Sequence, residues 1–79
     1  DKILKNTLEK LKRYEKAVIS EICSNDIKQK LIDMGVIPGT EVMISNIAPF
    51  GDPIEICLRG YELSLRKSDA SKIFVTTED

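Results

Sequence analysis

Residues 26–45 read DIKQKLIDMGVIPGTEVMIS, and this stretch decides the fold, because a helix, its stop signal, a tight turn and a strand follow one another without a gap. Ile27, Leu31 and Met34 recur at i, i+4 and i+7 as one apolar stripe, while Lys28, Gln29, Lys30 and Asp33 point elsewhere. Ser24, Asn25 and Asp26 are three candidate N-caps, and Asp26 with Gln29 three residues on has the spacing of a capping box. Gly35 stands where a left-handed residue closes a helix. The spacing predicts a helix over Asp26 to Met34. In Pro38-Gly39, proline presets φ at the second position of a turn and glycine accepts the positive φ of the third, as a type II turn requires. Beyond it Val42 and Ile44 alternate with Glu41, Met43 and Ser45, the period of a half-buried strand over Glu41 to Ile47.

Working outward, Ala48 to Pro53 holds Pro49, Gly51 and Pro53, too many breakers to continue a ladder, and reads as a loop. Ile54, Ile56 and Leu58 then alternate with polar neighbours. After Gly60, which marks a bend or bulge between adjoining strands, Tyr61, Leu63 and Leu65 do the same. Ser68 caps a segment the length of one 3₁₀ turn, Ile73 to Val75 makes a closing strand, and Thr76 to Asp79 reads as a polar tail. Upstream, Thr7 caps one helical turn that presses Leu8 and Leu11 onto a core. Tyr14 to Cys23 is a first strand whose alternation breaks after Ile19, the sign of a bulge.

About five short strands, one inserted α-helix and short helical turns make a mostly β domain that closes into a small barrel to remove exposed edges. An SH3-like barrel fits this order best; an OB-type barrel also places a helix between strands. A chain of 79 residues has room for one core, so residues 1–79 are expected to form a single domain, with its core over about 7–75. Aromatic residues make up only 5% of the chain, so that core must be aliphatic.

Composition narrows the function. A net charge of −1 supplies no long-range field for phosphate backbones or anionic lipid, and nucleic acid is not an expected partner. No apolar run approaches the roughly 20 residues that cross a bilayer, and no signal segment opens the chain, so a soluble protein without direct membrane insertion is expected. The sequence opens on Asp1 and not on an initiator Met, so a processed or trimmed start is an expectation. The chain has no His, which removes the usual general base and the commonest metal ligand. Gly35, Gly39, Gly51 and Gly60 are scattered turn glycines and build no phosphate loop. No catalytic residue is assigned, and an enzyme is not expected.

Cys23 and Cys57 are too few and too far apart for a disulfide framework, which points to a reducing, cytoplasmic setting with free, semi-buried thiols in two strands. With Glu21 or Glu55 they are also the candidate ligands for a soft divalent metal, Fe2+ or Zn2+, although a closed zinc site takes four ligands at paired short spacings.

Taken in order, Leu31 to Val42, Leu8 to Lys12, Gly51-Asp52-Pro53-Ile54, Leu58 to Lys67, Ala70 and Ile73 to Val75 resemble the FeoA family, small cytoplasmic proteins of bacterial ferrous iron uptake. The resemblance covers Thr7 to Val75. The sequence departs from the family at Arg13-Tyr14, where Pro-Gly is frequent, and at Lys28 and Lys30, where Arg is common. The resemblance implies an SH3-like barrel that supports the membrane permease FeoB, whose cytoplasmic domain hydrolyses GTP, and a link to transition metal ions. It also implies two alternatives: the C-terminal barrel of a metal-dependent regulator of the diphtheria toxin repressor type, and a direct Fe2+ or Zn2+ carrier. Under the leading reading Met34, Val36 and Ile37 beside a turn, with Pro49 and Phe50 in a loop, are the candidate docking residues. The competing reading has them cap the open ends of the barrel. A weak homo-oligomer is a further expectation.

Overall fold

The expected helix forms as α1, Asn25–Asp33, in the computed structural model, which describes residues 3–78. Ser24 takes the N-cap position without a side-chain bond. The capping box is not made: Asp26 already lies in the first turn, where its charge suits the positive end of the helix dipole, and Gln29 Nε2 donates to Asp33 Oδ1 at 2.9 Å. Gly35, at φ +94, closes the helix as a Schellman motif. Its N–H donates to the Ile32 carbonyl at 2.9 Å and the Val36 N–H to the Leu31 carbonyl at 2.8 Å, while Leu31 and Val36 bury their side chains together in the core. The turn follows as expected: Gly39 has φ +92 and the Thr40 N–H donates to the Ile37 carbonyl at 3.1 Å.

Six strands surround this unit: β1 Ile3–Thr7, β2 Lys16–Ile22, β3 Glu41–Ile47, β4 Ile54–Leu58, β5 Tyr61–Leu65 and β6 Ile73–Glu78. They form one antiparallel sheet in the order β1-β6-β2-β3-β4-β5. The bulge expected after Ile19 is present, with the register of β2 on β6 shifting between Ile19 and Glu21. A 3₁₀ turn, Leu8–Lys10, follows β1, and α2, Lys67–Ala70, follows β5. These two segments pack against each other, so the outer strands of the sheet are drawn toward a common core. Leu8 and Ala70 are both fully buried there, among aliphatic side chains from every strand from β2 to β6. The result is the mostly β, SH3-like barrel with one inserted helix.

Four local expectations are corrected. The count of about five strands omitted β1, whose five residues ILKNT carry no alternation and whose pairing partner lies at the far end of the chain. The polar tail from Thr76 is the second half of β6, held by that pairing as far as Glu78; Asp79 lies outside the described residues. Gly60 is part of a two-residue hairpin turn rather than a bend or bulge, because Arg59 at φ 49 and Gly60 at φ 85 are both left-handed and Leu58 pairs with Tyr61. Ser68 does not cap α2, which is α-helical and not a 3₁₀ turn. Arg66 is its N-cap, and the Lys67 N–H donates to Asp52 Oδ1 at 2.9 Å across from the Ala48–Pro53 loop.

Arg59 occupies a position for which Asn is better suited, since Asn tolerates the left-handed region at lower cost. Arg59→Asn is expected to raise stability by about 0.5 kcal/mol, or about 3 °C in Tm, measured by thermal unfolding. Only a 3.4 Å contact from Arg59 Nη2 to Thr40 Oγ1 opposes the gain.

Candidate docking surfaces

The candidate docking residues are sorted by β3. The Pro38-Gly39 turn precedes this seven-residue strand and the Ala48–Pro53 loop follows it, so the two lie at opposite ends, about 20 Å apart at roughly 3.3 Å per residue. Met34 and Ile37 belong to one end and Pro49 and Phe50 to the other. Val36 belongs to neither. Its side chain is 0% exposed, because the Schellman geometry turns it onto Leu31, and the expectation that it faces a partner is corrected.

At the first end the groups largely satisfy one another. Met34 and Ile37 are half-buried, and Met34 packs on the core. The Tyr61 hydroxyl donates to the Met34 carbonyl, one of the acceptors that a helix C-terminus leaves open. Tyr61 has no counterpart in the sequence reading, which placed it only as a strand residue. The signal was the adjacent Gly35, whose missing Cβ makes room for the hydroxyl.

At the second end a large ring stands in water on an anchored loop. Phe50 is 96% exposed, so it covers no part of the barrel's open end. The loop beneath it is tied down: the Gly51 N–H donates to the Ala48 carbonyl at 2.7 Å, the Ala48 N–H donates to the Pro53 carbonyl at 3.1 Å, and the Asp52 carboxylate accepts from the Lys67 N–H of α2. Gly51 has φ +82 and the Asp52-Pro53 peptide is cis. Pro49 is exposed beside Phe50. A third exposed aromatic was not foreseen as a surface group. Tyr14, 62% exposed at φ 71, carries the Arg13 guanidinium 4.8 Å from its ring centroid, at the position where the sequence departs from the frequent Pro-Gly of the family it resembles.

The two cysteines are free and are not brought together. Cys23 is exposed just beyond the end of β2, correcting its expected semi-buried strand position, and its N–H donates to the Lys72 carbonyl at 2.8 Å. Cys57 is half-buried in β4 opposite Met43 and Glu62, and β3 lies between β2 and β4. Glu55 is engaged by Asn46 Nδ2 at 3.1 Å. Among the described residues no three His, Cys, Asp or Glu side chains group as metal ligands, and no buried side-chain nitrogen or oxygen lacks a hydrogen-bond partner. The described residues therefore assemble no ligand set for a resident divalent metal. No helix among the described residues is long and apolar enough to cross a membrane.

A six-stranded antiparallel sheet rolled about an aliphatic core, with a helix inserted between β2 and β3, defines a small SH3-like barrel. Its family follows from its relatives. Residues 6–77 match the FeoA domain, and the chain belongs to the FeoA-domain family. A FeoA-like protein from Clostridium acetobutylicum is 42% identical, with 90% of this chain and 84% of that one covered and a TM-score of 0.83. FeoA from Stenotrophomonas maltophilia, a prokaryotic SH3-domain protein solved as a zinc complex, is 28% identical, with 89% and 88% covered and a TM-score of 0.78. A fusion of Fe(2+) transport protein A with the Fe(2+) transporter FeoB, from Porphyromonas gingivalis, is 30% identical over 69 residues; the match takes in 86% of this chain and 8% of that relative's length.

Proposed function

We propose that this domain is an accessory, non-catalytic interaction module of bacterial ferrous iron uptake that docks on a FeoB-like permease from the cytoplasmic side. The covalent union of a FeoA domain with FeoB in the Porphyromonas gingivalis relative carries this reading. Joining two modules in one chain holds them at an effective concentration of roughly millimolar, an arrangement with a physical benefit when the two act on each other. The barrel's own chemistry agrees. It offers exposed apolar groups, Phe50 foremost, and its net charge of −1 favours a protein partner over nucleic acid. Iron enters the proposal as the cargo of the permease.

Phe50 is the anchor of the docking end. A ring almost wholly in water gains most from burial against a partner, and the anchored loop lowers the ordering cost of that step. Calorimetric titration of the permease's cytoplasmic domain with the purified chain is expected to show saturable binding. Phe50→Ala is expected to weaken it at least about tenfold, equal to about 1.4 kcal/mol, while Tm stays unchanged. Absence of binding by the unsubstituted chain would sink the permease reading. Binding that survives Phe50→Ala would move the docking surface elsewhere.

A further inference from the structure

We propose that β5 is a self-complementary edge through which two copies of this chain pair antiparallel, joining their sheets across a two-fold axis at Ser64. β5 is the outermost strand of the sheet, and among the described residues no strand pairs with its far side. Its main-chain groups alternate in direction. Leu58 and Tyr61 flank the two-residue turn as a closing pair, so the N–H and C=O groups of Tyr61, Leu63 and Leu65 face β4, and those of Glu62 and Ser64 face away from the sheet. Arg66 continues the extended conformation at φ −70 and ψ 145. Its carbonyl already accepts from the Asp69 and Ala70 N–H groups at 3.0 and 2.9 Å, which leaves its N–H for the edge.

The residues on that edge read Glu62-Leu63-Ser64-Leu65-Arg66, a sequence that complements itself when reversed. Laid antiparallel on a second copy about Ser64, Glu62 faces Arg66 of the other copy, Ser64 faces Ser64 and Leu63 faces Leu65. The positions that meet in hydrogen-bonded pairs are those whose main-chain groups point outward. Each copy then donates from its Ser64 N–H to the other's Ser64 carbonyl and from its Arg66 N–H to the other's Glu62 carbonyl. The side-chain rows agree with this register. Glu62, Ser64 and Arg66 are all exposed, while Leu63 is half-buried and Leu65 is buried in the core, so the charged and polar row is the one open to a second copy. Charges commonly protect an edge strand by repelling a copy of itself. Here the two charges have opposite sign and sit symmetrically about Ser64, so an antiparallel copy turns them into cross-strand attractions.

Charge exchange tests the register. Sedimentation equilibrium of the purified full chain is expected to show a monomer–dimer equilibrium. Glu62→Arg alone sets arginine against arginine and Arg66→Glu alone sets glutamate against glutamate, so each is expected to weaken self-association about tenfold. An equimolar mixture of the two variants is expected to restore dimers, because each pairing then joins unlike charges. Ser64→Pro removes the central N–H, which faces away from β4, and is expected to abolish the dimer with the barrel intact by circular dichroism. An unsubstituted chain that stays monomeric up to about millimolar concentration overturns the proposal and leaves the edge to an extended segment of another protein. Association that Ser64→Pro and both charge variants leave unchanged overturns it as well.

Discussion

Leu8→Ala is expected to remove about 3 kcal/mol from the unfolding free energy, within the range of roughly 2–5 kcal/mol for truncating a buried leucine. At about 0.05–0.15 kcal/mol per residue the whole chain has only about 4–12 kcal/mol to lose. Leu8 is 0% exposed, and it sits in the 3₁₀ turn that packs on α2 and so joins the β1 side of the sheet to the β5 side. A cavity there is hard to collapse, because the turn is held on one side by the β1–β6 ladder and on the other by the capped α2. The matching fall in Tm is about 12 °C or more for a domain of this size. Urea titration checks the cause: a lower midpoint at unchanged slope reports lost packing, whereas a changed slope would mean that the sheet opens before global unfolding. A loss under about 1 kcal/mol would show that the two ends of the sheet do not depend on this contact.

Gly35→Ala is expected to cost about 2 kcal/mol from two separable sources. The first is the backbone, since φ +94 is a conformation that L side chains rarely adopt, costing about 1 kcal/mol. The second is space. A Cβ at Gly35 would overlap the Tyr61 hydroxyl and stand 3.4 Å from Tyr61 Cζ, so the tyrosine must swing away from the Met34 carbonyl that it caps, losing a hydrogen bond of about 1 kcal/mol. A double-mutant cycle separates them. In a Tyr61→Phe background the hydroxyl is gone, and Gly35→Ala is expected to cost about 1 kcal/mol less than in the native chain, as read by urea denaturation. Equal costs in both backgrounds would place the whole effect in the backbone.

Gly35 also shows what kind of information a sequence holds openly. Its closing role, the Pro38-Gly39 turn and the Ile27, Leu31, Met34 stripe are legible because each depends on a few neighbouring residues and on φ values that only certain side chains tolerate. The β2 bulge was legible for the same reason, as a break in a period of two. The docking residues were less so. An apolar residue beside a turn looks alike whether it turns inward, as Val36 does onto Leu31, or outward, as Phe50 does, because local propensity does not fix which side the rest of the chain covers.

Residues 26–45 determined, by themselves, a helix, a stop, a turn and a strand, and the alternation on either side determined an aliphatic β domain. The tertiary structure alone decided the rest. β1 exists because β6 lies beside it, Asp52 caps α2 because the barrel brings the loop to it, and the outer edge of β5 has no strand partner among the described residues because β5 falls last in the sheet. Each of these depends on contacts between residues distant in sequence, and strand order, unlike periodicity, leaves no mark on the strands it arranges.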